Sequence, residues 1–185
     1  MVMSYTILVK ASSDVMVQDR GVLGSGLVGA IPETFCTEQV RSEPADYFEQ
    51  SWRVCCFGAF LFGREAVRRM LPAGSGTLLF TGASASLRGR ANFGAFNSSK
   101  GAMRNLAQAM AKEYGPEGIH VGHVVVDGPI GGEKIMQGFP EYAEQLGEDG
   151  MISIEGIVDG FVYLYRQPPR AWTFEVDVRT SQERW

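Results

Sequence analysis

A chain of 185 residues has the size of one domain able to bury about two thirds of its unfolded surface, and with 45% hydrophobic and 21% charged residues its bulk is neither disordered nor fibrous. Seventeen basic against 21 acidic residues leave a net charge of -4 with no basic run, which argues against a nucleic-acid partner. The three cysteines, Cys36, Cys55 and Cys56, are odd in number and have spacings that build neither zinc sites nor disulfide frameworks, which suits a reducing compartment.

The first residues carry no basic segment ahead of a long apolar core, so they do not read as a signal peptide. No stretch approaches the roughly 20 apolar residues of a membrane span. The expectation is a cytoplasmic protein with no membrane partner.

In chain order, residues 5–9 (YTILV) and 15–17 are β-prone runs separated by the polar ASSD, and they predict two short strands. Residues 21–29 are glycine-dense and are followed by Pro32, Thr34 and Thr37, so the pattern assigns the stretch 21–44 to no one element. From Pro44 onward Phe48, Trp52, Cys55, Ala59, Phe62, Ala66 and Met70 recur at helical intervals, predicting a long helix that ends near Pro72 and Gly74. Its apolar residues also include Val54, Phe57, Phe60 and Leu61, too many for one stripe, so burial on two sides is expected, the second against a helix or a partner subunit.

Residues 77–81 (TLLFT) form an apolar run between glycines, the pattern of a strand covered on both faces. After the loop GASASLRGRANFG, residues 96–114 place Met103, Leu106, Met110 and Tyr114 at helical spacing until GPEG stops them. Residues 119–126 (IHVGHVVV) predict a second buried strand ending in the turn DGPIGG. The acidic, glycine-broken stretch 133–150 predicts a mobile cover, residues 154–165 a helix, and residues 171–178 (AWTFEVDV) a closing strand. Helices and strands alternating in this way imply a parallel sheet with helices on both faces.

Ligands of such sheets bind at the carboxyl ends of the strands. That puts the loops at 82–94 and 127–132 at a candidate site, with Ser84 in the first and Lys100 on the helix that this loop feeds. Phe96 and Lys100, four apart, share one helix face. The plain alternative is a solvated lysine and turn-forming serines. His120 and His123, three apart on a strand, point to opposite faces and cannot easily chelate one metal. Cys55 and Cys56 read as apolar fillers, and Asp127 as a turn anchor.

The run GTLLFTGASASLRGRANFGAFNSSKGAMRNLAQAMAKEYGPEGIHVGHVVVDG resembles the catalytic half of the short-chain dehydrogenase/reductase family: a serine-bearing strand end, a Tyr-x-x-x-Lys helix, and a strand leading to a Pro-Gly turn. The preceding helix DYFEQSWRVCCFGAFLFGREAVRRMLP is similar to the family helix that carries a catalytic asparagine, and RQPPRAWTFEVDVR to the last strand of one bacterial branch. The fold this implies is α/β, a Rossmann-like parallel sheet with helices on both faces that lacks part of its N-terminal nucleotide-binding half. Residues 1–43 are then a degenerate or shortened front, and residues 44–185 the catalytic-half region of one domain.

The resemblance also implies site residues. Lys100 stands at the lysine position and Ser84 near the serine position, one residue closer to position 96 than the family usually leaves. Phe96 occupies the tyrosine position and Cys55 the asparagine position. In the family the tyrosine hydroxyl exchanges a proton with the substrate oxygen, nicotinamide transfers hydride, and the lysine lowers the hydroxyl pKa and grips the ribose. A phenyl ring has no proton to give.

The resemblance further implies NAD or NADP as cofactor, with Lys100, Gly128 and Ile130 beside the nicotinamide end, a small carbonyl or alcohol as substrate, and a homodimer or homotetramer built on the long helices. For the front, one alignment treats residues 7–13 (ILVKASS) as a degenerate strand and Asn-Ala-Gly turn. The other uses Gly24, Gly26 and Gly29, which spell G-x-G-x-x-G and could cradle a phosphate at a helix start, or could form a plain glycine turn. The competing reading of the whole chain is an inactive relative kept as a binding or oligomer-forming module.

Overall fold

The computed structural model describes residues 7–11, 14–18 and 37–183. Five strands form one sheet in the order β2-β1-β3-β4-β5, with β1 at Ile7–Ala11, β2 at Asp14–Gln18, β3 at Gly76–Ala83, β4 at Ile119–Asp127 and β5 at Glu175–Arg179. The strands β3, β4 and β5 run parallel, as the alternating pattern implies. The hairpin β1–β2 departs from it, because β1 pairs with β3 antiparallel, Ile7 opposite Phe80 and Lys10 opposite Thr77. The end of β1 therefore lies at the foot of β3, away from the strand tips, so residues 7–11 do not run as the strand of a degenerate Asn-Ala-Gly turn would, and residues 12 and 13 lie outside the described residues. The same pairing covers this edge of β3 with a strand of the chain itself.

The long helix comes in two parts, α1 (Ala45–Trp52) and α2 (Gly58–Met70), joined without a break by a π-helical turn at Arg53–Phe57. Such turns insert one extra residue and rotate the faces before and after them. The inner face of this helix buries Cys55, Ala59, Ala66, Val67 and Met70 against β3 and α3 (Gly94–Tyr114). The predicted second burial is not met among the described residues, where Phe48, Trp52 and Phe60 are 37–41% exposed.

Helix α3 starts at a fixed point: Glu43 Oε1 accepts the Ala95 N–H at 3.0 Å, satisfying one of the donors that a helix start leaves open. Small residues on its inner face let it lie close on the sheet, where Met103, Ala107 and Met110 meet Leu78, Phe80, Ile119 and Val121. The opposite face of the sheet is covered by α6 (Ile154–Tyr165), whose Leu164, Ile157 and Phe161 pack on Leu79, Val124 and Val126. Every residue of β4 is buried, as a strand covered on both faces requires.

The stretch predicted as a mobile cover forms two short helices, α4 (Glu133–Gly138) and α5 (Pro140–Leu146), tacked down by Ile135 and Ala143. The last strand begins four residues later than predicted because residues 172–174 bind the sheet in another way: Trp172 stacks on His120 with ring centroids 5.0 Å apart, and the carbonyls of Thr173 and Phe174 accept from His120 Nε2 and from the His123 N–H.

Candidate functional site

The site grows from the carboxyl ends of β3 and β4. Strand β3 runs into a tight 3-10 turn at Ser84–Ser86, and this turn packs on the first turns of α3. Lys100, on the inner face of α3, is 1% exposed, and its Nζ donates to the Thr81 carbonyl at 2.9 Å. Burial pulls the Lys100 pKa below the ordinary lysine value, while the nearby Cys55, as an anion, works in the opposite direction. Cys55, 2% exposed, sits on the π-turn close enough to act on this lysine electrostatically. Its neighbour Cys56 has a thiol pKa raised by burial and then by Cys55.

The structure thus brings together Lys100, Cys55 and the end of β3, with Phe96 one helical turn before Lys100 and half-buried. Of the two serines after β3, Ser84 opens the turn with a partly exposed side chain, and its carbonyl accepts from Leu87 and Arg88 N–H at 2.9 and 3.1 Å. Ser86 is the inward one, 7% exposed, its Oγ accepting the Ala83 N–H at 3.1 Å. After β4, Gly128 takes φ 153°, where a side chain would be strained. The turn that follows is pinned by Ile152 N–H to Pro129 O at 2.8 Å and Gly131 N–H to Ile152 O at 2.9 Å, and it leaves Ile130 43% exposed. Gly24, Gly26 and Gly29 lie outside the described residues, as does Cys36.

Two polar assemblies here are not named by any motif. In the first, Asp127 is 2% exposed and accepts from both Nη1 and Nη2 of Arg88, at 3.0 and 3.1 Å, with Arg179 at 3.6 Å and Glu183 3.5 Å from Arg88 Nη2. The turn anchor is therefore an ion-pair hub that ties the loop after β3 to the tips of β4 and β5. In the second, Arg104 on α3 grips Glu175 at 2.6 and 2.9 Å, and Glu175 Oε2 is 2.9 Å from His123 Nδ1.

Burial drives the His123 pKa down to about 4, with Lys100 and Arg104 adding to the effect against Glu175. Burial alone would raise the Glu175 pKa, but the hydrogen bonds from Arg104 and His123 outweigh it and hold it below the usual carboxylate value. The two histidines do face opposite sides of the sheet, His120 toward Trp172 and Thr173, His123 toward α3. Among the described residues, no three His, Cys, Asp or Glu side chains converge on a point fit for a metal ion, and no helix is long and apolar enough to cross a membrane.

Comparison with known proteins agrees with the geometry. Residues 26–131 match the family model described as short chain dehydrogenase. The chloroplastic NADPH-dependent aldehyde reductase-like protein of Arabidopsis thaliana is 32% identical over 100 residues, which are 54% of this chain and 37% of that protein. A short-chain dehydrogenase structure from Rhodopseudomonas palustris aligns with a TM-score of 0.60 at 35% identity, over 77% of this chain and 56% of that one. A mutant 4-hydroxyisoleucine dehydrogenase complexed with NADH and succinate aligns at 0.67 with 21% identity, over 81% and 65%, a likeness that bears on the fold alone. These matches span between 37% and 65% of the relatives' own lengths.

Proposed function

The chain belongs to the short-chain dehydrogenase family, and on that premise we propose that it is a nicotinamide-linked oxidoreductase for a small carbonyl or alcohol, with a weakened proton-transfer step. The observation that carries this reading is Lys100, a buried cation on α3 held at the tip of β3. Burying a charged lysine costs stability, which favours a role in binding for it.

The described residues fit the nicotinamide-ribose end of NAD or NADP. Lys100 offers a cation for ribose hydroxyls, Gly128 has no Cβ at the tip of β4, and Ile130 presents an apolar surface to a ring. Gly24, Gly26 and Gly29, within residues 1–43, are the candidates for the phosphate end, and residues 44–185 form the catalytic-half region. When bound, the nicotinamide supplies the hydride. Lys100 orients the ribose, and the hydroxyl of Ser84 or Ser86 supplies a hydrogen bond to the substrate oxygen. Phe96 contributes shape but no proton, and general acid-base help of the missing kind is typically worth about 100-fold to 10,000-fold. The expected chemistry is slow for that reason.

The test is NADPH and NADH oxidation with a panel of small aldehydes and ketones, for the wild type and for Phe96→Tyr. The substitution returns a hydroxyl to the face of α3 that carries Lys100, and a rate gain of roughly 100-fold is expected. No turnover in either protein, with no nucleotide bound, contradicts the reading.

A second reading, an inactive relative acting as an oligomer-forming module, is favoured by Phe96 and by the outer face of the long helix. There Trp52, Phe57 and Phe60 stack with ring centroids 6.1 Å apart. Both readings share a homodimer or homotetramer through this face and α3. Light scattering of Trp52→Asp, compared with the wild type, checks it: dissociation is expected, and a monomeric wild type refutes the assembly.

A further inference from the structure

The buried imidazole of His123 belongs to none of the roles above. Glu175 carries a charged carboxylate that can only accept, so the bond at Nδ1 places the hydrogen there and leaves Nε2 as a lone-pair acceptor. That Nε2 is buried without a hydrogen-bond partner. It lies over Gly82, where a Cβ would collide with it and stand 3.0 Å from Ser86 Oγ. Gly82 follows Thr81, whose carbonyl holds Lys100. A buried acceptor left unpaired costs stability, and here it is held in place by a two-residue clamp, Glu175 and Arg104.

We propose that His123 is a positioning residue for Lys100: the clamp turns the Nε2 lone pair toward the ammonium across Gly82, and this negative pole keeps the cation at the tip of β3. The groups that face His123 are Lys100 and Arg104 from α3, Glu175 from β5 and Ser86 from the turn after β3, while Cys55 faces Lys100. Burial first, and then the two cations, disfavour a charge on the ring, and the imidazole stays neutral down to about pH 4. The neutral ring is the form that can act as this pole.

The proposal rests on reading Lys100 as the cation of the nucleotide site, and its test separates the two. The chain has four lysines, so NMR of ligand-free, 15N-lysine-labelled protein resolves Lys100, assigned by its absence in Lys100→Met. In His123→Leu the Lys100 midpoint is expected to fall by at least about half a pH unit, roughly threefold in proton affinity. In His123→Gln, whose amide can present an oxygen at the reach of Nε2, the wild-type midpoint is expected to return. If His123→Leu does not fold, Glu175→Gln keeps the ring but neutralises the clamp, and a smaller fall is expected. An unchanged Lys100 midpoint across these variants overturns the proposal. The predicted shifts in a protein that binds no nucleotide leave the positioning role standing and refute the functional reading instead.

Discussion

The layer between α3 and the sheet has two halves of opposite chemistry. Toward the foot of the sheet, Leu78, Phe80, Ile119 and Val121 meet Met103, Ala107, Met110 and Met70 in an apolar core. Toward the strand tips the same two surfaces bury Lys100, His123, Ser99 and Asp127. Hydrophobic burial accounts for the first half, because each apolar side chain removed from water contributes to stability. The second half gains little that way, since buried charges return at best part of their desolvation cost. One half holds the fold, and the other is kept for what it does.

The contrast can be broken from either side. Phe80 is fully buried in the apolar half, so Phe80→Ala should lose about 3–5 kcal/mol in urea denaturation. In the polar half, acid should act where it cannot act on the apolar core. The folded-state pKa of His123 lies at about 4, below its ordinary 6.5, so the unfolded chain binds its proton first. Stability from this group is complete above pH 6.5 and is lost as pH falls from 6.5 toward 4, by about 3 kcal/mol in all. Urea midpoints across that range should show the decline in the wild type, and His123→Gln should flatten it.

Arg88→Met should cost about 1–3 kcal/mol by leaving the buried Asp127 to Arg179 alone, a loss read in the same titration. The smallest effect on stability is expected for Lys100→Met, which replaces a buried cation by an apolar chain of similar length and should be neutral or slightly stabilising.

The sequence makes the apolar half far more legible than the polar one. Helix α3 begins two residues before its predicted start, and α6 coincides with its prediction, because helical periodicity reports on burial directly. The antiparallel direction of β1 was not legible, since alternation along a strand is the same in either direction. Nor was the π-turn, whose residues continue a helical pattern while shifting its face. In the site, Lys100 and Phe96 are found by their spacing on one helix. The clamp on His123 is not, because it depends on the parallel register that sets His123 beside Glu175, residues 52 positions apart. Arg88 and Asp127 meet for a similar reason, across the tips of two neighbouring strands.

The most direct test of the account is a titration of the wild type and of Lys100→Met with NADH and NADPH, followed by nucleotide fluorescence. Saturable binding by the wild type, weakened at least tenfold in a Lys100→Met protein that denatures at the same or higher urea, is the predicted result. No saturation at millimolar nucleotide, or equal affinity in the two proteins, would contradict it.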